Sequence, residues 1–130
     1  MKKLTIKADP DNLDELLNYV EAELNQHGFP SGLQSEIIFA VEELFLNIAH
    51  YAYGPAGGDV DVFVSVNEKA CLRFEDTGKP FNPLEQAAPN LDIPVMERKI
   101  GGLGIFLVKQ LMDEITYSYK DNKNILTIKK

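Results

Sequence analysis

Two spacings of apolar residues divide the chain. Leu13, Leu16, Leu17, Val20 and Leu24 recur at helical spacing, with acids and Asn on the outer face. Asp9-Pro10-Asp11 ahead of them marks a turn and helix start with Asp9 or Asp11 as cap, and His27-Gly28 marks the stop. After the connector Phe29-Pro30-Ser31-Gly32, a second and more apolar helix is predicted from about Leu33 to Tyr53, with Ser31 or Ser35 as starter. Gly54-Pro55-Ala56-Gly57-Gly58 ends it. The period then changes to two. Val60, Val62, Val64 and Val66 oppose Asp59, Asp61 and Ser65, and after a turn at Asn67-Glu68, Ala70, Leu72 and Phe74 oppose Cys71, Arg73 and Glu75.

Shorter alternations predict an opening strand at Leu4 and Ile6, and two closing strands joined at Asp121-Asn122. The first of these places Ile115, Tyr117 and Tyr119 on one face, and the second runs from Ile125 to Ile128. Ile105, Leu107, Val108, Leu111 and Met112 form the apolar side of a third helix. Between the strands and that helix lies a segment from Lys79 to Gly102 that holds Pro80, Pro83, Pro89 and Pro94, with one helical turn around Leu84 to Ala88. Unstructured connections of that length in a compact domain are usually functional or mobile.

Three polar residues break the pattern. Glu43 and Asn47 lie one turn apart on one face of the second helix, among Phe39, Ala40, Leu44 and Ile48. They read either as a solvated acidic stripe or as polar heads drawn into a partly dry pocket, where a charge needs a partner. Asp76 continues the inward face of Leu72 and Phe74 and stands directly before Thr77-Gly78. It reads either as a turn aspartate bonded to its own backbone or as a pocket residue.

Composition narrows the class. With 130 residues, 45% hydrophobic and 25% charged, the chain has the make-up of one globular domain. A net charge of -7 argues against nucleic-acid binding, which draws its affinity from basic surfaces. Cys71 is the single cysteine, which excludes a disulfide framework and a thiolate metal cluster. No apolar run is long enough to span a membrane, and a cytoplasmic setting is expected.

Gly101-Gly102-Leu103-Gly104 opens the third helix as a plausible phosphate cradle, where free N–H groups attract anions. The dinucleotide fingerprint is incomplete, with Leu107 at the third glycine, and no P-loop, kinase triplet or nucleophile elbow occurs. Glu42 and Glu43 point ~100° apart on a helix and do not form an acid/base pair. His27 reads as a helix-end residue, and His50, three residues past Asn47, approaches the pocket at most from its edge.

In combination and order these features resemble the GHKL ATPase superfamily, and within it the anti-sigma-factor serine kinases of bacterial sporulation and stress regulation. Glu43-Leu44-Phe45-Leu46-Asn47 resembles the N box, Asp76-Thr77-Gly78-Lys79-Pro80-Phe81 the first glycine box and Gly102-Leu103-Gly104 the second. The resemblance spans roughly Ser35 to the C-terminus. It implies an α/β (α+β type) two-layer sandwich of Bergerat type over residues 1–130, with a mixed, mostly antiparallel sheet under three helices. It implies Glu43 as general base, Asn47 as ligand of Mg²⁺ that bridges the phosphates of ATP, Asp76 as acceptor for the adenine amino group, and Gly78 as clearance for the ring. Gly102, Leu103 and Gly104 would hold phosphate under a lid spanning 79–101, and Arg98 or Lys99 would neutralise the transferred group. The implied reaction moves the γ-phosphoryl group to a serine of an anti-anti-sigma (STAS-type) protein. A sigma factor is a further implied partner and a homodimer the implied assembly. A nucleotide-dependent partner-binding module without transfer is the rival reading.

Two departures stand out. Tyr51 occupies the position four residues after Asn47 where the family carries His, with His50 one place before it. The last strand begins Asn124-Ile125 where the family has Gly-Thr, which makes Thr127 the candidate substitute for the adenine-side threonine.

Overall fold

In the computed structural model, which describes residues 2–85 and 102–130, five strands form one sheet in the order β1-β2-β3-β5-β4. They are β1 (Lys2–Lys7), β2 (Asp59–Val66), β3 (Ala70–Asp76), β4 (Glu114–Lys120) and β5 (Lys123–Lys129). Every neighbouring pair is antiparallel. The sheet is therefore not mixed: β5 enters between β3 and β4 from the hairpin it shares with β4, and it runs opposite to both. The helices are α1 (Leu13–Gln26), α2 (Ser31–Tyr51) and α3 (Gly102–Leu111).

Local chemistry explains the boundaries. The Asp9 carboxylate accepts from the Asp11 N–H at 2.9 Å and starts a 3₁₀ turn (Pro10–Asn12) that leads into α1. At the other end Gly28 takes φ +69°, its N–H donates to the Asn25 carbonyl at 3.1 Å, and the Phe29 N–H donates to the Leu24 carbonyl at 2.9 Å. This is a Schellman stop, and a side chain at Gly28 would strain it. Helix α2 begins at Ser31 behind Pro30 and ends at Tyr51, two residues earlier at each end than the pattern indicates. Asp121 and Asn122 adopt φ 55° and 63°, the pair of left-handed residues that a tight two-residue hairpin requires.

One face of the sheet is covered. Val60, Val62 and Val64 of β2, Leu72 and Phe74 of β3, and Leu126 and Ile128 of β5 are buried with Leu16, Val20, Leu24, Val41, Leu44 and Phe45 from the helices. The opposite face carries Lys3, Thr5, Arg73 and Thr127 in the alternate registers, with the Arg73 guanidinium 4.3 Å over the Phe63 ring. Among the described residues, no helix is long and apolar enough to cross a membrane.

Candidate functional site

Charged and amide side chains are rarely buried without a reason. Among the described residues four such side chains are buried: Glu23, Asn47, Asp76 and Asn124. Glu23 stands apart on α1, where Lys2 reaches its carboxylate at 3.3 Å. The other three line a single cavity of about 30 Å³ between α2 and the ends of β3 and β5. Leu44, Ile48, Phe74, Leu126, Phe81, Pro83 and Tyr117 also line it. That volume holds about one water molecule, so a larger ligand requires the lining to open.

Asp76 ends β3 on the inner face. Its Oδ1 accepts from the Gly78 N–H at 2.9 Å and from Asn124 Nδ2 at 2.9 Å. Burial pushes its carboxyl above the usual range, and those two hydrogen bonds pull in the other direction. At Asp76 the turn bond to Gly78 and a place in the cavity lining occur together. Gly78 is required by a close approach: a Cβ there would stand 2.2 Å from the Ala52 carbonyl oxygen, and the Lys79 N–H donates to that oxygen at 2.9 Å. The glycine turn is thus pinned to the end of α2. Tyr53 pins it a second time, its hydroxyl donating to the Asp59 carbonyl at 2.6 Å and accepting from the Thr77 N–H at 2.9 Å.

Asn47 is buried on α2 and lines the same cavity. Glu43, one turn nearer the start of α2, does not line that cavity. Its carboxylate lies against the first turn of α3, where a Cβ on Gly104 would meet Oε2 at 1.9 Å. Glu43 is half-buried, and burial, followed by the repulsion of Glu42, raises its pKa above the ordinary carboxylate value. Gly102 opens α3, and Leu103 is half-buried behind it. Arg98 and Lys99, and most of the 79–101 lid, lie outside the described residues. Of the short helical turn expected at Leu84 to Ala88, Pro83–Glu85 forms a 3₁₀ turn, tied to α3 by Lys109 Nζ at 2.8 Å from the Leu84 carbonyl. His50 is exposed, and Tyr51 tilts against Phe81 with ring centroids 5.8 Å apart.

Thr127 requires a correction. It pairs with Arg73 and Thr116 on the outer face of the sheet and does not reach the cavity. The inner position belongs to Asn124, paired with Asp76 in the ladder. Reading Thr127 as a substitute kept the outward parity of Ile125. The signal for Asn124 was present in the sequence, because an amide in register with Leu126 and Ile128 is a polar residue on an apolar face. Tyr117 joined the site without any such signal, and Phe81 only as the last residue of the first glycine box.

The two glycines predict different failures. Gly78→Ala drives a methyl into backbone and is expected to lower stability by about 1–3 kcal/mol. Gly104→Ala meets only the tip of a flexible side chain, so thermal stability should hold while the Glu43 carboxylate is displaced. Thermal melts of the two variants side by side check the contrast, and equal losses would contradict it.

A buried acid at a strand end, a buried amide on the facing helix and a glutamate against the start of α3 thus stand at one end of the sheet. Residues 6–130 match the family model described as Histidine kinase-like ATPase domain, and the chain belongs to that family. Curated relatives include serine-protein kinases RsbW. That of Bacillus mycoides (strain KBAB4) is 28% identical over 110 residues, which cover 81% of this chain and 69% of the relative. That of Listeria monocytogenes serovar 1/2a is 28% identical over 111 residues, covering 78% and 69%. The solved RsbU and RsbW domains of Rv1364c from Mycobacterium tuberculosis share the fold with a TM-score of 0.67 at 13% identity, covering 99% of this chain and 32% of that one. The histidine kinase domain of the blue-light activated kinase EL346 from Erythrobacter litoralis has a TM-score of 0.60 at 19% identity, covering 95% and 60%. The chain thus spans about a third of the Mycobacterium tuberculosis structure.

Proposed function

We propose that the chain is an ATP-dependent serine kinase of the anti-sigma-factor type. Its substrates are Mg²⁺-ATP and a serine on a STAS-type anti-anti-sigma protein, and sequestration of a sigma factor by a homodimer belongs to the same reading. The observation that carries it is the convergence of Asn47 and Asp76 on one buried cavity, one helical turn from Glu43 and the start of α3. The RsbW relatives support the choice of serine transfer over other ATPase chemistries.

The residues present fit the nucleotide. Asp76 retains an acceptor for the adenine amine, Gly78 lets its turn close on the end of α2 beside that acid, and the turn at Gly102, Leu103 and Gly104 offers backbone N–H groups to phosphate. Among the described residues no group of three or more His, Cys, Asp or Glu side chains could hold a metal ion. Asn47 would hold Mg²⁺ together with phosphate oxygens and water, a set this hard ion accepts. When bound, the ion supplies charge neutralisation at the phosphates. Glu43 takes the proton of the attacking serine hydroxyl, and its raised pKa makes it a stronger base than an exposed glutamate. Arg98 and Lys99 are the chain's cations for the transferred group.

The test combines calorimetry with Mg²⁺-ATP and phosphorylation of a STAS protein by radiolabelled ATP. ATP binding with no labelled STAS protein under any Mg²⁺ condition refutes transfer.

The second reading is a partner-binding module switched by nucleotide without transfer. The tight cavity favours it, because a base must open the lining, and such an opening can alter the surface offered to a partner. Glu43→Ala separates the two. A kinase keeps ATP affinity and loses phosphorylation, whereas a switch module keeps its ATP-dependent partner affinity.

A further inference from the structure

Asn124 holds its carboxamide in one orientation. Nδ2 donates to Asp76 Oδ1 at 2.9 Å and to the Lys79 carbonyl at 2.9 Å. Oδ1 accepts from the Phe81 N–H at 3.1 Å and from the Tyr117 hydroxyl. Turning the amide over would face its oxygen with a carboxylate and a carbonyl, and its NH₂ with a backbone N–H. Four partners from β3, the glycine turn, the segment after it and β4 therefore agree on which end points at Asp76.

The consequence falls on the acid. Oδ1 of Asp76 is occupied twice, by Asn124 and by the Gly78 N–H, while no donor among the described residues reaches Oδ2. Among the described residues the locked amide thus leaves one oxygen without a donor, and as a carboxylate oxygen it accepts. We propose that Asn124 is a specificity-determining positioning residue: by holding Asp76 Oδ1 as a doubly bonded acceptor, it leaves Oδ2 to select a purine that donates at position six over one that accepts there. An amino purine completes the pair, whereas an oxo purine sets oxygen against oxygen. Loss of Asn124 frees the carboxyl to rotate and removes a hydrogen bond that favours its ionised form. A protonated or turned carboxyl can donate, and an oxo purine then becomes acceptable.

This inference rests on the nucleotide reading above, and the experiment keeps the two apart. ATP and ITP differ at position six and, with it, in the proton on N1, so their affinity ratio reports that edge of the base. Calorimetry of the whole chain with Mg²⁺-ATP and Mg²⁺-ITP is expected to show about ten-fold or greater preference for ATP. In Asn124→Ala the ratio should fall to within about three-fold, because a donor to a charged acceptor is lost. Tyr117→Phe removes only the hydroxyl that donates to Asn124, and should move the ratio the same way by less. If Asn124→Ala does not fold, the ratio in Tyr117→Phe decides. A purely structural role would lower the melting temperature and leave the ratio unchanged, which overturns the proposal. Tighter ATP binding in Asn124→Ala would overturn it too, by making the amide a blocker. A wild-type protein that binds ATP and ITP equally refutes the Asp76 contact to the base and the role of Asn124 while leaving nucleotide binding standing, and one that binds neither refutes the nucleotide site and the role together.

Discussion

Glu43→Gln is expected to lower phosphoryl transfer to the protein substrate by about 10²–10⁴-fold while ATP affinity stays within a few-fold. The amide has the same shape and still fits against Gly104, but it cannot take a proton. In the wild type the rate should rise with pH as Glu43 ionises, and the midpoint should lie above that of an ordinary glutamate, since burial and then Glu42 raise its pKa. Initial rates across pH, with ATP saturating, measure this. A midpoint at or below the ordinary value, or a Glu43→Gln variant of near-normal rate, would remove Glu43 as the base. The same raised pKa sets a sign for stability. The folded state holds the Glu43 proton more tightly than the unfolded one, so stability falls as pH rises from the ordinary carboxylate value through the raised one. Glu43→Gln removes that loss and should not be less stable than wild type at neutral pH, the usual exchange of function for stability at a catalytic position.

Asp76→Asn is expected to weaken ATP binding by about ten- to a hundred-fold. An amide at this position can still accept from Gly78 and Asn124 through its oxygen, which keeps the turn in place. Its NH₂ then occupies the position of Oδ2 and meets the adenine amino group donor to donor. Stability follows the same linkage as at Glu43. Asp76 has a raised pKa from burial, so the wild type loses stability as pH rises from the ordinary aspartate value through the raised one. Denaturant midpoints against pH should therefore flatten over that window in Asp76→Asn. Unchanged ATP affinity would exclude Asp76 from the base contact, and an unchanged pH dependence would mean that its burial costs nothing.

What was legible in the chain follows the range of the interactions involved. Periodicity marked every helix and strand because burying one face is a local pattern, and parity alone turned Asp76 inward beside Leu72 and Phe74. Asn47 and Glu43 could be set one turn apart by helix geometry. What joins these elements is long-range and left no local mark. Asp76 and Asn124 are 48 positions apart and meet only because β5 inserts beside β3 in an antiparallel register. Sheet direction depends on that insertion, so a mixed sheet was as consistent with the pattern as the observed one. Thr127 was selected by residue type, although its parity with Ile125 pointed away from the helices. Phe81 read as the end of the first glycine box and Tyr117 as a strand aromatic, and only tertiary packing brings both to the cavity.

The placement of β5 also bears on how the protein is made. Until that strand has been synthesised, β3 has a neighbour only on the β2 side, and its other edge, with Leu72 and Phe74 beside it, is open to pairing with another chain. Nascent chains halted on the ribosome before Lys123 should therefore be prone to self-association and dependent on chaperones, and adding the final hairpin strand should release them as a single cooperative event.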